Sequence, residues 1–432
     1  MKKFLVVMVV LALVGLGSIA FAADVTVGGS LQIRSRDFND MTFYTNQNFK
    51  NQVDTQERII MNINAKAGDD VKGKISLWQD FYDWGSNLGA SGASTPVDSN
   101  MGTGFGSSTA GVAANTFGFR EAWISFNVPG IPVNLTAGHQ LLQLGDGWFF
   151  RAMHFGADAW VVANVTGANT VAFVDVKASE GSVAVNHDDV DGYVLLDVLK
   201  LDDNNTIGGN LADIHLGTGN DLYNLGLNYA GKLGPLNLKA QADFQGGQNK
   251  NVLPGNPQPK YQGYEIAIKG NVMMDAVTIN FLLGAGSGKK DTDTSPNVKT
   301  FVTLLDIDPH YTFLYEYKIS TAAKAAHTGL ANTEVISVGA MFAAAKSVQI
   351  GADIYFLMAT EKVNNALTEA GAGSPSSDIG TEIDAHVNWK IYDNLSWNWD
   401  LGYFMPGGVY KDANGNGKDA AYGIQGILAF NF

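Results

Sequence analysis

The sequence is poor in several residue types that would mark other protein classes. None of its 432 residues is cysteine, which excludes disulfide scaffolds, cysteine-ligated metal sites and cysteine nucleophiles. Only 16% of the residues are charged, against about 25% in a typical soluble protein. After residue 23 there is no run of about 20 apolar residues that could form a transmembrane helix. The formal charge of −14 argues against a nucleic-acid partner, because such proteins carry a basic face.

The N-terminus has the pattern of a secretory signal. Lys2 and Lys3 precede an uncharged run over residues 4–23, which ends in the small-x-small sequence Ala20-Phe21-Ala22. This is the arrangement that signal peptidase cleaves. We therefore expect residues 1–22 to be a cleaved signal peptide and residues 23–432 to form the mature protein. No cysteine follows the cut, so a lipoprotein anchor is excluded.

Apolar and polar residues alternate along most of the mature chain. The alternation is clearest over residues 379–389 and 395–403, and it recurs over 25–36, 236–245 and 348–356. Period two is typical of β-strands with two different faces. A soluble sandwich would place dense Lys and Glu on its outer face. Here one set of alternating positions is rich in Asn, Gln, Ser, Thr and Gly. The other set is apolar and ends in aromatic residues. This is typical of a membrane barrel with a polar lumen.

Connections between the predicted strands are alternately short and long. The short ones are residues 68–70, 129–132, 231–235, 345–347 and 392–394. The long ones are residues 83–116, 247–260, 286–298, 359–377 and 405–419. Twenty candidate strands start near residues 24, 53, 70, 117, 133, 157, 170, 191, 206, 221, 236, 261, 276, 299, 311, 332, 347, 378, 394 and 420. The pattern predicts an all-β fold: a single antiparallel transmembrane β-barrel of about 18 strands (range 16–20), with short periplasmic turns and long extracellular loops.

The last strand carries a further signal. Tyr422 and Phe430 share the parity of the terminal Phe432. A final apolar-alternating strand that ends in Phe resembles the assembly signal of Gram-negative outer-membrane porins. This resemblance implies location in the outer membrane, contact with its lipid and lipopolysaccharide, and insertion by the barrel assembly machinery. Either a homotrimer or a monomer is compatible with it.

Two short stretches are similar to alginate-export-like porins. Residues 136–140, Thr-Ala-Gly-His-Gln, and residues 145–147, Gly-Asp-Gly, resemble the Gly-Arg-Gln…Gly-Asp pattern of that family, with His139 in place of Arg. The preceding strand, residues 119–123, is similar too. The resemblance implies a wide barrel of about 18 strands and does not specify the solute.

No motif for catalysis or cofactor binding is complete. Residues 284–290 resemble a phosphate loop, but Leu283 stands where its first glycine belongs and Lys290 replaces Ser or Thr. Residues 412–419 have the spacing of a calcium loop, but Gly423 occupies the position of the bidentate acid. The seven histidines show no metal-ligand spacing. We therefore expect no cofactor, no metal and no enzymatic activity.

Two functions remain open at this point. The first is a porin that forms an aqueous channel for passive diffusion of ions and small polar solutes, since a barrel of 16–18 strands leaves a water-filled lumen. The alternative is a sheath or export conduit for a separate partner, such as a polysaccharide export or electron-transfer complex.

An aromatic segment between two predicted strands is the candidate constriction. Residues 145–156 would be an apolar patch in water if they formed an exposed loop, which protein surfaces avoid. We expect the segment to fold into the lumen or over its rim and to narrow the pore; the alternative is packing against the 83–116 loop. The candidate residues are Asp146, Trp148, Phe149, Arg151 and His154.

Parity also predicts two charged walls inside the barrel. The basic candidates, from the first three strands, are Arg34, Arg36, Arg58, Lys66, Lys72 and Lys74. The acidic candidates, from later strands, are Asp243, Glu265, Asp353, Glu382, Asp384 and Asp400. Arg120 has the parity of outward residues, so we expect it at the outer rim. Because low-dielectric walls focus such charges into a channel, the hypothesis is a transverse field that tunes ion selectivity. The alternative is that these charges pair with one another.

Overall fold

The computed structural model describes residues 23–39, 51–84, 118–179, 189–217, 219–249, 258–290, 292–306, 310–316, 329–363, 373–411, 413–417 and 419–432. Within these residues, eighteen antiparallel strands form the wall of one barrel, and a nineteenth strand of two residues lies against it. The strands are β1 (Ala23–Asn39), β2 (Asn51–Ala67), β3 (Val71–Asp83), β4 (Gly118–Asn127), β5 (Val133–Gln143), β6 (Phe150–Thr166), β7 (Asn169–Ser179), β8 (Val190–Lys200), β9 (Asn205–Leu216), β10 (Asn220–Leu233), β11 (Leu236–Asn249), β12 (Tyr264–Met274), β13 (Val277–Gly286), β14 (Leu304–Leu305), β15 (Glu334–Ala345), β16 (Val348–Val363), β17 (Ser376–Tyr392), β18 (Leu395–Pro406) and β19 (Ala421–Asn431).

The wall is closed. Each strand pairs with its neighbours in chain order, β13 pairs directly with β15, and β1 pairs with both β2 and β19. The predicted antiparallel barrel of about 18 strands is therefore confirmed. No helix in the described stretches is long and apolar enough to cross a bilayer.

The tight turns share one end of the barrel, which we call the turn end. All five predicted short connections are confirmed there, and three further turns, near residues 167–168, 201–204 and 275–276, join them. The opposite end, the loop end, carries the long connections; the predicted loop over 83–116 lies almost entirely outside the described residues. The predicted signal peptide, residues 1–22, also lies outside them.

Two predicted strands are wrong. Among the residues that the structure describes, no wall strand starts near residue 299 or 311, and β13 pairs directly with β15. In the described part of this connection, β14 pairs parallel to the start of β6, and Val298 forms an isolated parallel bridge with Tyr261. Around residue 311 the backbone N–H groups bond to side-chain oxygens instead, as when Glu316 N–H donates to Thr312 Oγ1 at 2.9 Å. The amides are thus satisfied without a neighbouring strand.

The inner face of the wall is not polar throughout. On β7–β10, inward residues form an apolar surface: Val174, Val176, Val194, Ala212, Ile214 and Leu222. Residues of the two connections β5–β6 and β13–β15, with the first residue of β6, cover this surface inside the barrel: Leu144, Phe149, Phe150, Phe301 and Leu304. Part of the inner face of these strands is therefore apolar.

Aromatic side chains on the outer face lie near the turn end. The rings of Trp389 and Trp397 stack with centroids 6.5 Å apart, and those of Phe430 and Phe432 at 6.0 Å. All four are exposed on the outside of the wall. Such interfacial girdles are typical of transmembrane barrels.

Candidate functional site

Two loops from the loop end fold into the barrel and contact each other. They are the β5–β6 loop, residues 144–149, and the β13–β15 loop, residues 287–333. Leu304 N–H donates to the Phe149 carbonyl at 2.8 Å. The Trp148 ring lies 5.8 Å from that of Tyr311 and 6.1 Å from that of His310. Trp148 and Phe149 are buried.

The tip of the β5–β6 loop reaches strands about a third of the way round the wall. Asp146 forms ion pairs with Lys239 of β11 at 2.8 Å and with Lys269 of β12 at 2.5 Å. Its backbone N–H donates to Gln241 at 2.5 Å. Gly145 and Gly147 have φ values of 54° and 82°, in the left-handed region that glycine enters without strain. The Gly-Asp-Gly sequence therefore forms a turn that projects Asp146 across the lumen.

Wall carboxylates hold the β13–β15 loop inside the barrel. Glu382 accepts hydrogen bonds from the N–H groups of Leu314 at 2.6 Å and Tyr315 at 2.9 Å. Asp384 accepts one from Phe313 N–H at 3.1 Å. Glu382 and Asp384 are almost fully buried. These two predicted acidic residues thus serve as acceptors for loop amides rather than as charges on an open pore surface.

A further carboxylate joins the β13–β15 loop to the start of β6. Asp306 accepts hydrogen bonds from the N–H groups of Met153 at 2.8 Å and His154 at 2.9 Å. Arg151 lies 3.7 Å from the same carboxylate. Sequence reasoning missed Asp306, because its place beside β6 follows only from the parallel pairing of β14.

Three arginines of the predicted basic wall lie close together on β1 and β2; we call them the arginine wall. Arg34 donates to Gln56 at 3.1 Å, and Arg36 binds both oxygens of Asp54, at 2.9 Å each. Arg58 Nε donates to Asp80 at 2.7 Å.

An aromatic ring lies between members of this wall. The Phe81 ring centroid is 3.4 Å from Arg34 Cζ and 3.9 Å from Arg58 Cζ. Contacts of a guanidinium with a ring at these distances are attractive. The ring thereby holds the two side chains in place.

The arginine wall is connected to the start of β6. The Asp80 carboxylate that binds Arg58 also lies 2.8 Å from His154 Nε2. His154 is buried against the Trp78 ring, with centroids 5.0 Å apart. His154, predicted at the constriction, is thus brought against the basic wall.

The prediction that Arg120 lies at the outer rim is wrong. The register of β3 and β4 shifts between Ser76 and Leu77, and such a bulge reverses the direction of the side chains beyond it. Arg120 therefore points inward, where its Nη2 donates to the Met153 carbonyl at 2.7 Å. Phe119 is the outward residue, 62% exposed.

The remaining basic candidates lie apart from the arginine wall. Lys66 bonds to Asp69 of the first tight turn at 2.8 Å, and Lys72 is paired opposite Lys66. Lys74 forms an ion pair with Glu121. The six cations are therefore spread from the turn end of the barrel toward its loop end.

The other four acidic candidates form two groups: Asp353 with Asp400, and Asp243 with Glu265. His386 contacts Asp353 through Nε2 at 3.1 Å and Asp400 through Nδ1 at 2.9 Å. Asp243 and Glu265 are paired opposite each other on β11 and β12. Asp243 accepts hydrogen bonds from Asn224 and Gln241, each at 2.6 Å.

The tyrosines of the β13–β15 loop, Tyr311 and Tyr315, carry hydroxyl groups with raised pKa values. Burial, with the nearby Glu316 carboxylate, raises the pKa of Tyr311 well above its usual value. Burial likewise raises the pKa of Tyr315. The Tyr311 hydroxyl donates to the Gly329 carbonyl at 3.2 Å. Among the described residues, no three His, Asp or Glu side chains are placed to bind a metal ion.

The predicted assembly signal lies on the closing strand. Phe430 and Phe432 stack on the outer face, and Phe432 exchanges backbone hydrogen bonds with Gly29 at 2.9 and 3.0 Å. The Tyr422 hydroxyl accepts a hydrogen bond from Asn39 at 2.8 Å.

Comparison with known proteins identifies the fold. No family model and no curated protein matches the sequence. The structure is similar to OccK9 (OpdG) of Pseudomonas aeruginosa, at 10% identity and a TM-score of 0.57, over 95% of this chain and 98% of that one. The fold is that of outer-membrane porins. A BenF-like porin from Pseudomonas fluorescens Pf-5 matches at 11% identity and a TM-score of 0.57, with the same coverage. OccK2 (OpdF) of P. aeruginosa, solved in complex with glucuronate, matches at 9% identity and a TM-score of 0.56 over 95% and 98%.

Proposed function

We propose that this chain is an outer-membrane porin that forms an aqueous channel for passive diffusion of ions and small polar solutes. The closed barrel of eighteen described strands supports this, because a barrel of that size has a wide lumen. The observation that carries the proposal is the pair of loops inside the barrel. A porin needs a narrowed path rather than an open tube to select solutes, and these loops reduce the lumen.

The arginine wall supplies the polar side of the proposed path. Arg34, Arg36 and Arg58 stay charged at any relevant pH, and the carboxylates of Asp54 and Asp80 offset part of the charge of Arg36 and Arg58. We propose that solutes pass between these arginines and the inserted loops. Small solutes that carry a carboxylate fit this wall, and the glucuronate of the OccK2 complex is a solute of that class.

The conduit hypothesis has less support. A separate partner inside the barrel would compete for space with Trp148, Phe149 and Tyr315, which are buried there. We also expect no catalytic activity, since the sequence contains no complete motif of nucleophile and base.

Planar-bilayer recording tests the proposal. The wild-type chain is expected to form discrete channels, and deletion of residues 147–154 is expected to raise their conductance. Conversion of Arg34, Arg36 and Arg58 to Gln should shift the reversal potential in a salt gradient toward cation preference. The control is the K66Q/K72Q variant, which removes two cations at the turn end. A wild-type barrel that inserts but carries no current would refute the proposal. An unchanged reversal potential in the triple variant would remove the arginines from the path.

A further inference from the structure

Two carboxylates lie side by side on the inner face of β11 and β12. Asp243 and Glu265 are paired opposite each other and are 0% and 1% exposed. The residues that follow them, Phe244 and Ile266, are exposed on the outer face. The carboxyl group of Glu265 lies within hydrogen-bonding reach of that of Asp243. Two carboxylates in such contact and away from water cannot both stay charged unless a cation accompanies them.

The two carboxylates differ in their hydrogen bonds. Asp243 accepts one bond at each oxygen, from Asn224 at Oδ1 and from Gln241 at Oδ2, both at 2.6 Å. Neither oxygen of Glu265 has a donor among the described residues. Asp243 therefore has the partners of an ionised group, whereas Glu265 has acceptors that no side chain of the described chain satisfies.

Two asparagine amides beside this pair also have an unpartnered oxygen. Asn224 is fully buried and Asn210 is 7% exposed, and in the described part of the chain no donor contacts the Oδ1 atom of either. Asn210 and Asp243 lie on the two strands that flank Gly226. A Cβ at Gly226 would be 2.3 Å from Asn210 Nδ2 and 2.6 Å from Asp243 Oδ1. The missing side chain thus lets the amide and the carboxylate approach each other.

A cation satisfies this set of oxygens better than a proton does. A proton on Glu265 makes it the donor of one hydrogen bond. The other Glu265 oxygen and the amide oxygens of Asn210 and Asn224 would still lack a partner. Ca²⁺ takes six to eight oxygen ligands and binds carboxylates and amide carbonyls alike. The charge of two carboxylates also balances that of a divalent cation.

We propose that Asp243, Glu265, Asn210 and Asn224 form a binding site for one Ca²⁺ ion on the inner face of the barrel wall. The ligands are two carboxylates and two amide oxygens rather than three acidic or histidine side chains. The sequence predicts no metal here, because the four ligands lie on four different strands and share no motif spacing. The inference goes beyond the proposed channel function and does not depend on it.

The site is connected to the β5–β6 loop. Gln241 donates to Asp243 through Nε2, and its Oε1 accepts the backbone N–H of Asp146 at 2.5 Å. Gln241 is 3% exposed, so its amide is held between these two contacts. A cation that fixes Asp243 therefore also fixes the acceptor that positions the tip of the loop.

Calorimetric titration of the purified, EDTA-treated barrel with Ca²⁺ tests the inference. The wild type is expected to bind one Ca²⁺ per chain at a saturable site. Glu265→Gln keeps the size of the side chain and removes its charge, and it should bind Ca²⁺ at least tenfold more weakly. The matched control is Asp400→Asn, which changes an inward carboxylate that contacts His386 and should bind as the wild type does. A wild type without a saturable site would refute the inference, even if a variant fails to fold.

A pair of glycine variants tests the geometry. Gly226→Ala places a methyl group between Asn210 and Asp243 and should weaken Ca²⁺ binding at least tenfold. Gly209→Ala is the control on the neighbouring strand, because its Cβ would meet its nearest atoms at 3.5 Å, and it should leave binding unchanged. If Glu265→Gln and Gly226→Ala both bind Ca²⁺ as tightly as the wild type, the ion binds at surface carboxylates and the inference is wrong.

Infrared spectroscopy and bilayer recording give further readouts. In saturating Ca²⁺, a carboxylic acid C=O band that disappears in Glu265→Gln would mean that Glu265 holds a proton, which would overturn the inference. Removal of Ca²⁺ by EDTA is expected to increase the current noise of the wild type and to leave that of Glu265→Gln unchanged; equal responses would also overturn it. A barrel that binds Ca²⁺ at this site but carries no current refutes only the proposed channel function. A conducting barrel that binds none refutes only the calcium site.

Discussion

The best test of the inserted loops is replacement of Glu382 by Ala. This carboxylate accepts hydrogen bonds from two backbone amides of the β13–β15 loop, at 2.6 and 2.9 Å, and it is fully buried. Removing it leaves two buried N–H groups without an acceptor, at a cost of about 1–3 kcal/mol each. The total of about 2–6 kcal/mol acts on the loop and not on the strand pairing of the wall. Since 1.4 kcal/mol is a factor of ten, the released form of the loop should become at least about tenfold more populated.

Single-channel recording measures this effect. The Glu382→Ala channel is expected to switch between the wild-type current level and a larger one. Glu382→Gln keeps one carbonyl acceptor and should give an intermediate frequency of switching. The control is Asp400→Asn, which changes a carboxylate that contacts His386 rather than the loop. If a folded Glu382→Ala barrel has wild-type current and noise, Glu382 does not hold the loop and the reasoning fails.

Three further predictions concern the two loops. Trp148→Ala should raise conductance, because it removes a buried ring that fixes the β5–β6 loop, at a cost of about 3–5 kcal/mol to the loop packing; a bilayer recording checks this. Gly147→Val should have a similar effect, since φ is 82° there and a β-branched residue is strained in that region; Gly130→Val, at another turn with φ 82°, is the control and should leave conductance unchanged. Acid should loosen the turn after residue 292. Hydrogen bonding to Lys299 lowers the pKa of Asp293 below its ordinary 3.8, so this stabilisation is complete above that value and is lost as pH falls through the lowered pKa. Hydrogen exchange across residues 292–299 measures it; exchange that does not respond to acid would contradict the assignment.

The strands of the wall could be predicted from sequence because the alternation of apolar and polar residues depends only on neighbouring positions in the chain. A strand between lipid and a polar lumen must alternate wherever it lies in the barrel, so the parity of Arg34 and Arg36 follows from a few neighbouring residues. The same rule failed at Arg120, where one extra residue in a bulge reverses the direction of the side chain. The alternation of residues before a bulge does not show that an extra residue follows.

The interior of the barrel could be predicted only in part. The aromatic content of residues 145–156 led to the expectation of an inserted loop, because so many rings avoid water. The sequence also predicts strands that start near residues 299 and 311, whereas the structure has only β14, Leu304–Leu305, paired in the described part of this region. Its true partners are Phe150 and Arg151, which lie far away in the chain. Local pattern does not specify such a partner.

The apolar inner surface of strands β7–β10 has a consequence for how the protein is made. Their inner face is covered by Phe149 and Phe301 of the two inserted loops and by Phe150 at the start of β6. If the barrel closed before the two inserted loops were in place, the Val, Ile and Leu side chains of this inner surface would be exposed to water inside the barrel. A closed barrel without its inserted loops is therefore an unfavourable folding intermediate. We expect the two connections to collapse onto the nascent sheet while it is still open at the β1–β19 seam, so that closure of the seam encloses a filled cylinder.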